Sequence, residues 1–273
     1  MTILRAYTQC RYGQMHYREA GPALPAAEGE QAPRTLVMLH QNPSSSFEYE
    51  PLIACMAKDR RVIAFDTPGH GMSDAPPAPP GIAGYAAAFS DALDELQVSG
   101  PIDLYGFHTG SLLAIELALA RPDLVGRLAV TGIPMYAPEK RAEKLAEAEN
   151  FPPADEQGEV ILGLLRNLWA YVVGGRAAGV PLDRAIRQFA DKAYILDRFT
   201  WAYRGVWAYD YARLTRLSQP VLVLQPHEAL LEQSRKAAKL MPHAQLRELP
   251  ELDRDIFELA PDQLAEELRA FFD

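Results

Sequence analysis

The chain has 273 residues, 48% of them hydrophobic and 23% charged, so it can bury a substantial core in one large domain or a domain carrying an insertion. A formal net charge of −9 with no basic stripe argues against nucleic acid or an anionic membrane as partner. Its two cysteines, Cys10 and Cys55, stand at no metal-like spacing, and the opening MTILRAYTQCRYGQ has no secretory apolar core. Reduced structural thiols and a cytoplasmic location are therefore expected. The longest apolar run, SLLAIELALA, is ten residues and contains Glu116, too short and too polar to span a bilayer.

In chain order, ILRAYTQ and QMHYREA alternate apolar and polar residues and predict an antiparallel pair at a sheet edge, with His16 exposed. A Pro/Gly-rich surface excursion follows at 21–34, and another at 74–81. TLVMLH (35–40), RVIAFD (61–66) and IDLYGF (102–107) are continuous apolar runs, the mark of strands buried on both faces of a parallel sheet. RLAVTGI (127–133) and VLVLQ (221–225) continue the series, and LRELP (246–250) ends it. Helical spacing in SLLAIELALA and in the terminal PDQLAEELRAFFD places helices between and after them. Alternating β and α elements predict an α/β fold with a mostly parallel, doubly wound sheet. From 137 to 217 the pattern is helical only, first charged and then aromatic. The predicted organisation is thus a core domain, 1–136 and 218–273, with an inserted helical cap, 137–217.

LYGFHTGS (104–111) has the form of a strand–turn–helix that presents a nucleophile, G-x-S-x-G, but with His108 at its centre. HQNPSSS (40–46) resembles the H-G-x-P loop, and FDTPGHGMSD (65–74) the D-x-P-G-x-G-x-S-D segment, of the α/β-hydrolase fold superfamily. With the elbow, the last two strands and the closing helix in the family's order, the resemblance covers nearly the whole chain. Within that superfamily, a subset is similar in reading G-x-H-T-G at the elbow.

The resemblance implies a nucleophile, an acid and a histidine in that order, and this chain departs at all three places. His108 replaces the serine, Ala229 falls where the acid is expected with Glu228 beside it, and Arg254 falls at the histidine. Such a set cannot perform ordinary serine-hydrolase chemistry, because no hydroxyl is paired with an imidazole base. The oxyanion donors are backbone amides and survive substitution, which the resemblance assigns to Thr109 and Asn42. His40, Gln41, Trp201 and Tyr203 are expected around the pocket, and Asp66 and Asp74 are expected to brace the turn around Gly69 and Gly71. Arg254 has two readings: an inward ion pair with Glu228, or an outward turn to Asp253 and Asp255. A metal site from His40, His108 and Glu228 has no supporting spacing.

Two functions stay open at this point. One is a cofactor-independent enzyme acting on a small apolar or aromatic carbonyl or ester-type substrate, by hydrolysis, lyase-type cleavage or cofactor-free oxygenation, with His108 in place of the nucleophile. The other is a non-catalytic binder, as in receptors that resemble this fold and have lost triad members. Either takes a small molecule as its partner, and a homodimer is compatible with both.

Overall fold

The computed structural model describes residues 2–22 and 33–273, so most of the 21–34 excursion lies outside the described residues. Eight strands form one sheet in the order β1-β2-β4-β3-β5-β6-β7-β8. β1 (Leu4–Cys10) and β2 (Gly13–Ala20) are an antiparallel pair, and β2 joins β4 (Val62–Phe65) antiparallel. All other neighbours are parallel: β4 with β3 (Leu36–Leu39), then β5 (Ile102–Phe107), β6 (Val125–Thr131), β7 (Val221–Pro226) and β8 (Ala244–Leu249). The apolar runs named from sequence are these strands, displaced by a residue or two at their ends.

Period-two side-chain alternation splits the sheet residues between two cores. Val37, Leu39, Ile63 and Leu104 face α2 (Gly81–Glu95) and α3 (Thr109–Ala120), where Tyr85, Phe89 and Leu113 close the layer. Leu36, Met38, Tyr105 and Leu222 face the other way, packed with Leu52 and Ile53 of α1 (Glu50–Met56). The β1-β2 pair does end the sheet, but one expectation fails here: His16 is buried, its ring covered by Tyr7, 5.3 Å away between centroids, and by the loop carrying Asp66. Its Nδ1 is 2.8 Å from Asp66 Oδ2.

Four helices intervene between β6 and β7: α4 (Pro138–Glu149), α5 (Glu159–Trp169), α6 (Leu182–Ala193) and α7 (Thr200–Ala208). One turn of π-helix, Ala170–Gly174, follows α5. After β7 come α8 (Leu231–Ala238), α9 (Ile256–Leu259) and α10 (Pro261–Phe272). Among the described residues no helix is long and apolar enough to cross a membrane. Cys10 and Cys55 are both free thiols.

Candidate functional site

The elbow forms as the glycines dictate. A β-carbon on Gly106 would collide with the Gly110 backbone, and one on Gly110 with the Leu39 carbonyl, so strand β5 and helix α3 meet at a distance only glycine permits. Between them His108 has φ 52° and ψ −111°, a strained conformation for a residue with a side chain. Its N–H donates to Thr131 O at 2.7 Å, and its carbonyl accepts from Ser111 N at 2.9 Å, which holds the turn closed. Thr109 is the first residue of α3, so its amide has no partner within the helix.

The His108 ring is fixed on two sides. It stacks on Phe107 with centroids 4.1 Å apart, and its Cδ2–Nε2 edge lies against Gly132, whose φ of +73° leaves the space open. Gln225 Oε1 accepts from the Gly132 N–H at 3.0 Å and so holds that seat. Nε2 is buried without a hydrogen bond and faces Glu228 Oε1 at 3.6 Å. The side chain is 28% exposed and borders a cavity.

Glu228 reaches this position from the turn after β7, where Leu230 N and Gln225 Nε2 donate to it at 3.0 and 2.9 Å. Burial pushes its carboxyl upward, but His108 and these donors outweigh burial and hold its pKa below the ordinary carboxylate value.

These residues lie on the floor of a cavity of about 400 Å³ at the carboxyl ends of the strands. Gln41, Phe47 and Glu48 wall one side, Asp253 to Glu258 the other, and Tyr171, Gln188 and Asp191 of the inserted segment cover it. Gln41 Nε2 donates to Glu48 Oε2 at 2.7 Å, and its backbone amide to Oε1 at 3.0 Å, so Gln41 and Glu48 act as one unit. Sequence reasoning missed Glu48, Asp191 and Lys192 altogether, since they belong to no motif.

Other expected residues take different places. Arg254 borders the cavity but does not meet Glu228: its Nε donates to Asp255 Oδ2 at 3.1 Å and a terminal nitrogen to Tyr171 O at 3.1 Å. The inward ion pair is corrected to this latch between the β8–α9 loop and the insertion. His40, Trp201 and Tyr203 do not line the cavity. His40 Nε2 accepts from Thr67 N at 2.9 Å and its Nδ1 pairs with Gln41 O at 2.6 Å, so it is spent inside its loop. Tyr203 donates from α7 to Asn42 O at 2.7 Å. Asn42 is further held by His70 Nε2 at its Oδ1, 2.8 Å, and by its own donation to Phe199 O, 2.9 Å. Asp66 braces the turn with its carboxylate, Met72 N donating to Oδ2 at 2.9 Å, whereas Asp74 contributes its backbone carbonyl, to Gly69 N at 2.9 Å, and turns its carboxylate to Gln14 N at 2.8 Å.

The sequence model of the α/β-hydrolase fold matches residues 34–156, and solved structures of that fold superpose on nearly the whole chain. The chain has the α/β-hydrolase fold. The enol-lactonase of Burkholderia xenovorans LB400 aligns over 97% of this chain and 99% of its own, with a TM-score of 0.75 and 20% identity. By sequence, the (E)-2-((N-methylformamido)methylene)succinate hydrolase of Acinetobacter baylyi is 34% identical over 115 residues, 42% of this chain. That match spans only 40% of the relative's own length. A haloalkane dehalogenase of Mycolicibacterium paratuberculosis is 26% identical over 77% of this chain and 73% of its own.

Proposed function

We propose that this α/β-hydrolase-fold chain is a cofactor-independent hydrolase for small apolar or aromatic esters, in which His108 activates water directly. The observation that carries the reading is the pairing of His108 with Glu228 on the cavity floor. With Glu228 facing Nε2, the neutral imidazole keeps its proton on that nitrogen and offers the Nδ1 lone pair to the cavity. Contacts of this kind are often long before substrate arrives, and 3.6 Å is short enough to tighten as the ring becomes positive. A water oxygen then attacks the ester carbonyl carbon while Nδ1 takes its proton. The developing oxyanion falls to the Thr109 and Asn42 amides by resemblance to the fold's other members, although neither residue is among those lining the cavity. Collapse expels the alkoxide, which recovers the proton from His108, and acid and alcohol leave.

The inserted helices serve as a cap over this site, with Phe47, Phe107 and Phe257 giving the cavity its apolar surface. The relative named for a substituted succinate acts on an anion, and that substrate is not carried over, because carboxylates outnumber basic side chains in this lining.

Rapid-quench kinetics with a chromogenic ester test the mechanism. Product should form linearly from the first turnover, with no acyl adduct in the intact-protein mass. A burst accompanied by an acyl-imidazole adduct refutes direct activation of water. The absence of the triad at Ala229 and Arg254 favours a second reading, a binder without turnover. Stoichiometric ligand binding with no product from esters, lactones or aromatic ketones would establish it.

A further inference from the structure

The carboxylates around the cavity differ in how their charge is met. Glu258 is paired with Arg184 at 2.7 Å, Asp255 with Arg254 at 3.1 Å, and Glu228 faces His108. Glu48 has Lys192 at 4.0 Å and the two Gln41 donors. Asp253, at the rim, has no ion pair among the described residues but is exposed to solvent. That leaves Asp191, on the last turn of α6, as the more enclosed carboxylate without one. Its partners are two hydroxyls: Ser45 Oγ at 2.5 Å and Ser44 Oγ at 3.5 Å, the latter long for a hydrogen bond. Two oxygens offer about four acceptor sites, so half of its capacity is unspent. Burial raises its pKa, against the lowering effect of Ser45 and Lys192. Neighbouring Lys192 turns away to donate to Pro43 O at 2.9 Å, and Arg254 is engaged by Asp255 and Tyr171. The basic side chains of the lining are thus committed, and one carboxylate of the roof is not.

We propose that Asp191 is a specificity-determining residue that receives an ammonium group of the substrate at the roof of the cavity while the reacting carbonyl sits at His108. The substrate class is then an amine-bearing aromatic ester. This rests on the reading of the cavity as the substrate site. A half-buried carboxylate without a cation is unfavourable, and an incoming ammonium supplies the missing charge through a charge-assisted hydrogen bond. A carboxylate-bearing substrate meets the opposite balance and is rejected.

Calorimetric binding of non-hydrolysable ketones tests this without requiring turnover: 4-phenylbutan-2-one and its para-aminomethyl and para-carboxy derivatives. The aminomethyl ketone should bind about tenfold more tightly than the parent, and the carboxy ketone about tenfold more weakly, the scale of one charge-assisted contact. In Asp191→Asn the amine advantage should shrink to about twofold with the parent unaffected. The wild-type comparison of amine with carboxylate needs no variant to fold. Equal binding of the two, or an amine preference that survives Asp191→Asn, overturns the proposal. Failure of all three ketones to bind overturns the cavity reading along with it. An amine preference without ester turnover keeps the Asp191 assignment and removes hydrolysis.

Discussion

Replacing Gly132 with alanine should dislodge the His108 ring. The new methyl group would lie 2.7 Å from His108 Nε2 and closer still to Cδ2, well inside van der Waals contact. The ring cannot retreat easily, because Phe107 is stacked on one face. Two costs add. An alanine forced to hold φ near +73° loses about 1 kcal/mol relative to glycine. Overpacking a filled site costs about 1–3 kcal/mol more. A total of about 2–4 kcal/mol lowers Tm by roughly 5–15 °C for a chain of this size. Differential scanning calorimetry reads the stability, and the His108 ring resonances in a two-dimensional NMR spectrum read its position. Unchanged Tm together with unchanged His108 resonances would refute the seating of His108 on Gly132.

Fluorophosphonate probes should leave the protein unlabelled, as read by intact mass, because the elbow has His108 and no hydroxyl at its apex, and the neighbouring Thr109 is buried. Ser111 is fully buried and donates to Gly106 O and Thr131 O, so it is no substitute, and His108→Ser should not create esterase activity. Asp66 governs acid stability. Burial pushes its carboxyl up, yet His16, His40 and Ser46 outweigh this and hold it at about 2, against an ordinary 3.8. A depressed folded-state value contributes stability that is complete above pH 3.8 and is lost as pH falls through about 2, some ~2 kcal/mol in all. Asp66→Asn should therefore flatten the dependence of Tm on pH in that window, and an unaltered profile would contradict it. Tyr203→Phe removes the hydroxyl that holds Asn42 O, and kcat should fall about tenfold with KM little changed, as for loss of part of one oxyanion donor. An equal rise in KM would place Tyr203 in substrate binding instead.

The strands were legible because a parallel sheet covered on both faces demands unbroken apolar runs, and β3, β4, β5 and β7 are buried along their whole length. The elbow was legible because glycines 106 and 110 are required wherever strand and helix approach so closely. His16 misled because alternation is a signal for one solvent-facing side, whereas the loop carrying Asp66 and Ser73 covers that side of β2. Arg254 was legible in part, because the turn to its neighbour Asp255 was one of its two readings, while its contact with the insertion was not. Its partners are its own neighbour Asp255, held at φ 50°, and the carbonyl of Tyr171, brought across from the insertion. No spacing along the chain encodes the meeting with Tyr171. Asp191 is one charge among several on an amphipathic helix and belongs to no motif, and only the packing of α6 over Ser44 and Ser45 turns it toward the cavity.

The most direct test of the central claim is kcat/KM for the best ester substrate, wild type against His108→Ala. General-base catalysis by a positioned imidazole contributes about 10²–10⁴-fold, so the variant should lose at least about a hundredfold while its Tm stays near that of the wild type. A folded His108→Ala variant that hydrolyses the ester within a few-fold of the wild-type rate would contradict the assignment of His108 as the base.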